Sequence, residues 1–159
     1  MRIGIIGDTH GDMDSIRKAV DRAGPVDLWL HTGDHARDAQ YLEQLTQVPV
    51  QTVTGNCDAS HEGVPDLFLT LEGRHIMVTH GHHYRVKHGV RELSWWAKQY
   101  EADIVIYGHT HNPLIEQEEG LLILNPGSPS YPRANTGATF GMIELAGSRI
   151  LPMIIKMDN

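Results

Sequence analysis

Seven side chains in five short polar segments have the types and spacing to do metal chemistry. The segments are Asp8-Thr9-His10, Gly33-Asp34, Gly55-Asn56, Thr79-His80-Gly81 and Gly108-His109-Thr110-His111. Together they offer two aspartates, one asparagine and four histidines, all hard or borderline ligands for divalent ions. One ion does not need seven donors, but two ions sharing a carboxylate do, which predicts two-metal hydrolysis. Asp34 is the natural bridge, because a carboxylate has two oxygens and its charge screens two neighbouring cations. In Asp8-Thr9-His10 the donors stand two residues apart, so an extended strand end can aim both one way. His109 and His111 share that spacing and can each reach a different ion.

Each segment closes an apolar run, which identifies the elements that must hold it. Arg2 to Gly7 reads as a buried strand, Asp27 to His31 as a second and Val50 to Val53 as a third. Between them, Asp14 to Ala23 carries Ile16, Ala19, Val20 and Ala23 at helical spacing, with Asp12 or Asp14 as cap and Gly24-Pro25 as stop. Arg37 to Thr46 is the second helix. Leu67 to Leu71 and His75 to Thr79 flank Glu72-Gly73-Arg74 as a hairpin. A helix is expected over Val86 to Tyr100, with Val90, Leu93, Trp96, Ala97 and Tyr100 inward. Ile104 to Tyr107, Leu114 to Gln117, Leu121 to Leu124, Thr139 to Leu145 and Arg149 to Ile155 read as strands, the last two joined at Gly147-Ser148. Two sheets with helices outside account for this order, and ligands at strand ends place the site at a sheet's C-terminal edge.

The 159 residues fit a single domain over 1–159, with 40% apolar and 21% charged residues as in an ordinary globular protein. No apolar run approaches the ~20 residues that span a bilayer, and the basic-then-apolar start runs directly into Asp8 and His10 rather than into a cleavage site. One cysteine, Cys57, excludes an internal disulfide and suits a reducing cytoplasm. The net charge of −7 argues against long nucleic acid as a partner, and with no spanning run no membrane partner is expected.

The order Asp-x-His, Gly-Asp, Gly-Asn, His-Gly-His, Gly-His-x-His resembles that of the calcineurin-like metallophosphoesterase superfamily. The short length, Gly55-Asn56-Cys57-Asp58 and Asn125-Pro126-Gly127-Ser128 are similar to its small bacterial and archaeal phosphodiesterase branch. The resemblance runs from Asp8 to about Arg133. It implies a four-layer αββα sandwich of two mixed β-sheets flanked by helices. It also implies one ion held by Asp8, His10, Asp34 and His111, and a second by Asp34, Asn56, His80 and His109. The implied activity is hydrolysis of a small phosphodiester, a nucleotide derivative or cyclic nucleotide among the candidates, by in-line attack of a metal-bound hydroxide. Asn56 and His109 would position the reacting group. Mixed oxygen and imidazole donors suit manganese, the expected ion, or iron, zinc, cobalt or nickel, better than a magnesium or calcium cage.

Cys57 departs from the larger members, which carry a histidine there to protonate the leaving oxygen; a thiol is only a weak donor. His82, two residues after His80, is the alternative acid, or else it only supports the ligands. Arg85, Lys87 and Arg91 form a local basic cluster that is either a solvated helix start or an attraction for phosphate. Asn125 to Pro129 and Pro132-Arg133 read as a rigid scaffold, with Arg133 a candidate phosphate contact. Of Trp95 and Trp96, one is expected to pack inward. His31, His35, His61, His75 and His88 receive no metal role, although His35 stands near enough to support the ligands. The rivals are a phosphomonoesterase and a non-catalytic interaction scaffold similar to the retromer subunit of this fold; homo-oligomerisation stays open.

Overall fold

A computed structural model of the chain describes residues 1–133 and 135–158. Strand β1 (Arg2–Ile6) leads into helix α1 (Met13–Ala23), strand β2 (Leu28–His31), helix α2 (Asp38–Thr46) and strand β3 (Val50–Thr52). The hairpin β4 (Asp66–Leu71) and β5 (Arg74–Thr79) follows, then α3 (Arg91–Gln99), β6 (Ile104–Ile106), β7 (Leu114–Glu118), β8 (Leu121–Asn125), β9 (Thr139–Ala146) and β10 (Arg149–Lys156).

The strands form two five-stranded mixed sheets, ordered β10-β9-β1-β2-β3 and β4-β5-β6-β8-β7. Within them β1, β2 and β3 run parallel, as do β5, β6 and β8. Period-two alternation divides each strand between two cores. Ile3, Ile5, Leu28 and Leu30 meet Ile76, Val78, Ile104 and Ile106 between the sheets. On the outer face of the first sheet, Ile6, Trp29 and Phe140 pack on Ile16 and Ala19 of α1 and Leu42 of α2. On the outer face of the second, Met77 and Val105 pack on Leu93 and Ala97 of α3. The result is the four-layer αββα sandwich, an α/β fold in which both faces of each sheet are covered.

Asp12, rather than Asp14, caps α1: its carboxylate accepts from the Ser15 backbone N–H at 3.0 Å and from the Ser15 hydroxyl at 2.7 Å. The helix expected over 86–100 is instead two pieces. Val86–His88 makes one 3₁₀ turn, and Gly89, at φ 109°, breaks the run before α3. Only Leu93 and Ala97 of the expected inner stripe are buried deeply, with Val90 partly buried against them. Trp96 and Tyr100 are exposed, and Trp95 too, so neither tryptophan packs inward. The expected inner stripe is broader than the face the nine-residue helix buries.

Candidate metal centre

All five polar segments follow the C-terminal ends of parallel strands: Asp8, Asp34 and Asn56 after β1, β2 and β3, and His80 and His109 after β5 and β6. Facing edges of two sheets thereby converge. Backbone bonds lock the edges: Asp8 N–H donates to Gly33 O at 2.9 Å and Gly108 N–H to His80 O at 3.1 Å. Across the sheets, His109 N–H donates to Asp8 Oδ2 at 2.9 Å.

Single donor atoms of Asp8, His10, Asp34 and His111 lie within 4.8 Å of one another, and so do those of Asp34, His80 and His109. Asp34 belongs to both sets. Its Oδ2 lies 3.7 Å from His10 Nε2, while its Oδ1 lies 3.4 Å from His80 Nε2. Asn56 Oδ1 joins the second set, 3.0 Å from His80 Nε2, and His109 Nδ1 lies 3.2 Å from that same nitrogen. All seven side chains singled out in the sequence are thus brought together.

The histidines are oriented from outside. His80 Nδ1–H donates to Thr32 O at 2.8 Å and His111 Nδ1–H to Tyr131 O at 2.7 Å, leaving both Nε2 lone pairs aimed inward. Asp8 Oδ1 and His10 Nε2 are buried with no hydrogen-bond partner. Buried polar atoms normally find one, and a cation between them would supply it. Burial, and then the neighbouring His80, push the His109 imidazole down to about 4, the neutral form a ligand needs. Burial alone would raise the Asp34 carboxyl, yet His80, the Cys57 amide and His10 hold it below its ordinary value.

The backbone here is strained. Asp8, His10, Asp34, His109 and His111 all adopt left-handed φ between 48° and 68°. Each such non-glycine residue costs of order 1–3 kcal/mol, and such outliers gather at functional sites. Gly55 shows why two glycines belong nearby: a Cβ there would overlap the Asp34 carboxylate, and one at Gly33 would come within 2.7 Å of the Gly55 nitrogen.

A polar chain that sequence reasoning passed over links the first two loops. Gly33 N–H donates to His31 Nδ1 at 3.1 Å, so the ring proton sits on Nε2 and donates to Thr9 Oγ1 at 2.9 Å. Thr9 in turn donates to Asp38 Oδ2 at 2.6 Å, which also takes the Gly11 N–H at 2.9 Å. Burial pushes His31 down to about 4, so it stays neutral. Asp58 does a similar job, taking Gly55 N–H at 2.7 Å and Ala36 N–H at 2.9 Å. The signal was available, since His31 and Asp38 flank Gly33-Asp34 at the end of a core strand. The segment read as scaffold does serve as one: Asn125 Nδ2 donates to Gly108 O at 3.0 Å and Ser128 Oγ to Asp8 O at 2.9 Å.

His82 lies on a 3₁₀ turn rather than a strand continuation, with its ring 5.2 Å from His80 and 6.1 Å from His109. Its Nδ1 is buried without a partner, and burial followed by His83 lowers its pKa. Burial and then Asp34 push the Cys57 thiol up to about 11. His35 stays at the rim, 5.8 Å from the His10 ring.

Paired, oriented oxygen and imidazole donors at the strand ends of an αββα sandwich define the class of metallohydrolases. The chain belongs to the calcineurin-like phosphoesterase superfamily, whose domain it matches over residues 1–148. It is 32% identical over 148 residues to a probable metallophosphoesterase of Bacillus subtilis, covering 91% of this chain and 85% of that one. It is also 32% identical over 144 residues to a phosphodiesterase of Methanocaldococcus jannaschii, covering 80% and 83%. A crystal structure of a predicted phosphoesterase from Streptococcus pneumoniae superposes with a TM-score of 0.83 at 31% identity, covering 98% of this chain and 89% of that chain. Vps29 of Entamoeba histolytica complexed with zinc shares the fold, with a TM-score of 0.77 at 20% identity over 99% and 100% of the two chains. The chain is a metallophosphoesterase, a hydrolase of phosphoric diesters.

Proposed function

We propose that this site hydrolyses small phosphodiesters with two divalent ions. Asp8, His10, Asp34 and His111 would hold one, and Asp34, Asn56, His80 and His109 the other, with Asp34 between them. The observation that carries this is the divided Asp34 carboxylate, one oxygen toward His10 and the other toward His80, beside the orphaned Asp8 Oδ1 and His10 Nε2. When bound, such ions acidify a water and neutralise phosphoryl charge. Asn56 and His109, at the partly open side of the donor set, would orient the phosphoryl group. Manganese is the ion we expect, with iron, zinc, cobalt and nickel as alternatives for the same donors.

His82 is the group we assign to the leaving oxygen. A thiol pushed up to about 11 donates too weakly to serve, whereas the His82 ring stands 5.2 Å from His80 and 6.1 Å from His109, beside the donor set. His82→Ala should therefore slow diesters with alkyl leaving groups by about 10²-fold while sparing p-nitrophenolate esters; equal losses on both would exclude this role.

No helix among the described residues is long and apolar enough to cross a membrane, and we place the enzyme in the cytoplasm. The net charge of −7 favours a small substrate over long nucleic acid. The deciding experiment is turnover of a panel of diesters and monoesters by metal-reconstituted protein. Activity on diesters, abolished in Asp34→Asn, is expected. A preference for monoesters would make the enzyme a phosphomonoesterase, and no metal-dependent turnover would make the fold an interaction scaffold.

A further inference from the structure

Two cavities flank the loop that carries His109 and His111. One, of about 580 Å³, is lined by His10, His35, His111, Tyr131, Pro132 and Arg133. The other, of about 560 Å³, has Lys87, Tyr107, Thr110, Asn112, Glu116 and Arg133 among its lining residues. Each is large enough for a nucleoside-sized group. Thr110 faces the second cavity from between the two histidines, and Arg133 is a wall common to both. A diester bound at the donor set therefore has a separate chamber for each ester arm.

The two chambers differ in chemistry. The first presents Tyr131, more than half exposed and edge-on to His10 at 5.3 Å, a face on which a base can stack. The second presents cations. The basic cluster near residue 85 divides here: Arg85 is committed to Glu92 at 3.0 Å, whereas Lys87 is exposed and faces the groove. Arg133 reaches the same groove from a segment more than forty residues later. Neither side chain forms an ion pair or hydrogen bond with another described residue. One carboxylate, Glu116, also lines the groove, leaving it net positive in a chain of net charge −7.

Resting on the diesterase reading above, we propose that the Lys87–Arg133 groove binds a terminal phosphate, so that the substrate is a short dinucleotide carrying a 5′-phosphate. Two cations match the two charges of a phosphomonoester, and a guanidinium offers it paired hydrogen bonds. The nucleoside between that phosphate and the scissile one fills the groove. The second nucleoside lies against Tyr131. Glu116 opposes any further phosphate, which keeps the substrate short.

The test is calorimetric binding of pApA, ApA and ApApA to the metal-free protein at low salt. Binding of pApA about tenfold tighter than ApA is expected. Lys87→Ala and Arg133→Ala should each remove most of that preference, while Glu116→Gln should raise it about twofold to threefold, a gain that misfolding cannot produce. Steady-state kinetics of the metal-loaded variants should show the loss in KM for pApA rather than in kcat. Equal affinities for pApA and ApA, or a preference that survives the double variant, would overturn the proposal. A gain for ApApA equal to that for pApA would assign the groove to chain phosphates and overturn it as well. Hydrolysis of bis(p-nitrophenyl) phosphate by the wild-type protein tests the metal site alone, so its failure would leave the pApA preference standing and count against the diesterase reading only.

Discussion

At the scale of single residues, Asp34 has the most demanding position. It is buried, its backbone is left-handed, and its two oxygens serve different groups. Supporting residues outside a metal's ligand set typically account for 10–100-fold in affinity or activity, so the bridging role we propose for Asp34 should count for more: Asp34→Asn should lower kcat by more than about a hundredfold. Gly55→Ala makes the same point through the backbone, because its new methyl would overlap the Asp34 carboxylate. It should cost about 10–100-fold in metal affinity, read by titration against a chelator, with circular dichroism unchanged. His31 is a matter of stability. Its imidazole is fully buried and held near 4, against about 6.5 when unfolded. The unfolded chain therefore binds the extra proton first, and stability falls as pH drops below about 6.5, levelling off near 4. The loss attributable to this one group is about 3 kcal/mol. Denaturant melts of the metal-free protein from pH 7 to 4 should show the decline, and a shallower one in His31→Gln.

At the scale of elements, the strands were legible in the sequence almost residue by residue, because each is a short apolar run ended by a polar or glycine-rich turn. The helix after β5 was not. Val86 and Val90 sit at helical spacing with Leu93 and Ala97, and periodicity alone cannot show that Gly89 adopts φ 109° and divides them. Nor can it show that α3, nine residues long, buries only a narrow stripe and leaves Trp95 and Trp96 outside. Leu93→Ala should cost about 2–5 kcal/mol in chemical denaturation, as core leucines do, whereas Trp95→Ala should cost less than about 1 kcal/mol. A large loss at Trp95 would mean that the exposed ring is packed in solution. The loops show the same division. The seven donors could be picked out by type, since histidine and aspartate after core strands are conspicuous. The His31–Thr9–Asp38 chain was harder to single out: His31 and Asp38 flank Gly33-Asp34, but a buried histidine reads alike whether it packs, ligates or braces.

At the scale of the molecule, two sheets pack so that the C-terminal ends of β1, β2 and β3 meet those of β5 and β6. The first sheet supplies both carboxylates with Asn56 and His10, and the second supplies His80, His109 and His111. Neither sheet holds a complete donor set, so metal binding should couple to the packing of one sheet on the other. Saturating manganese should raise the midpoint of thermal unfolding, as any ligand specific to the folded state does. Asp8→Asn should reduce that rise even though Asp8 lies on the first sheet only. The most direct measurement is the number of manganese ions bound per chain at saturation, by equilibrium dialysis with elemental analysis, in wild-type protein and Asp34→Asn. Two ions in the wild type and fewer in Asp34→Asn are predicted. One ion in both proteins, or two ions that survive the loss of Asp34, would contradict a site built around a shared carboxylate.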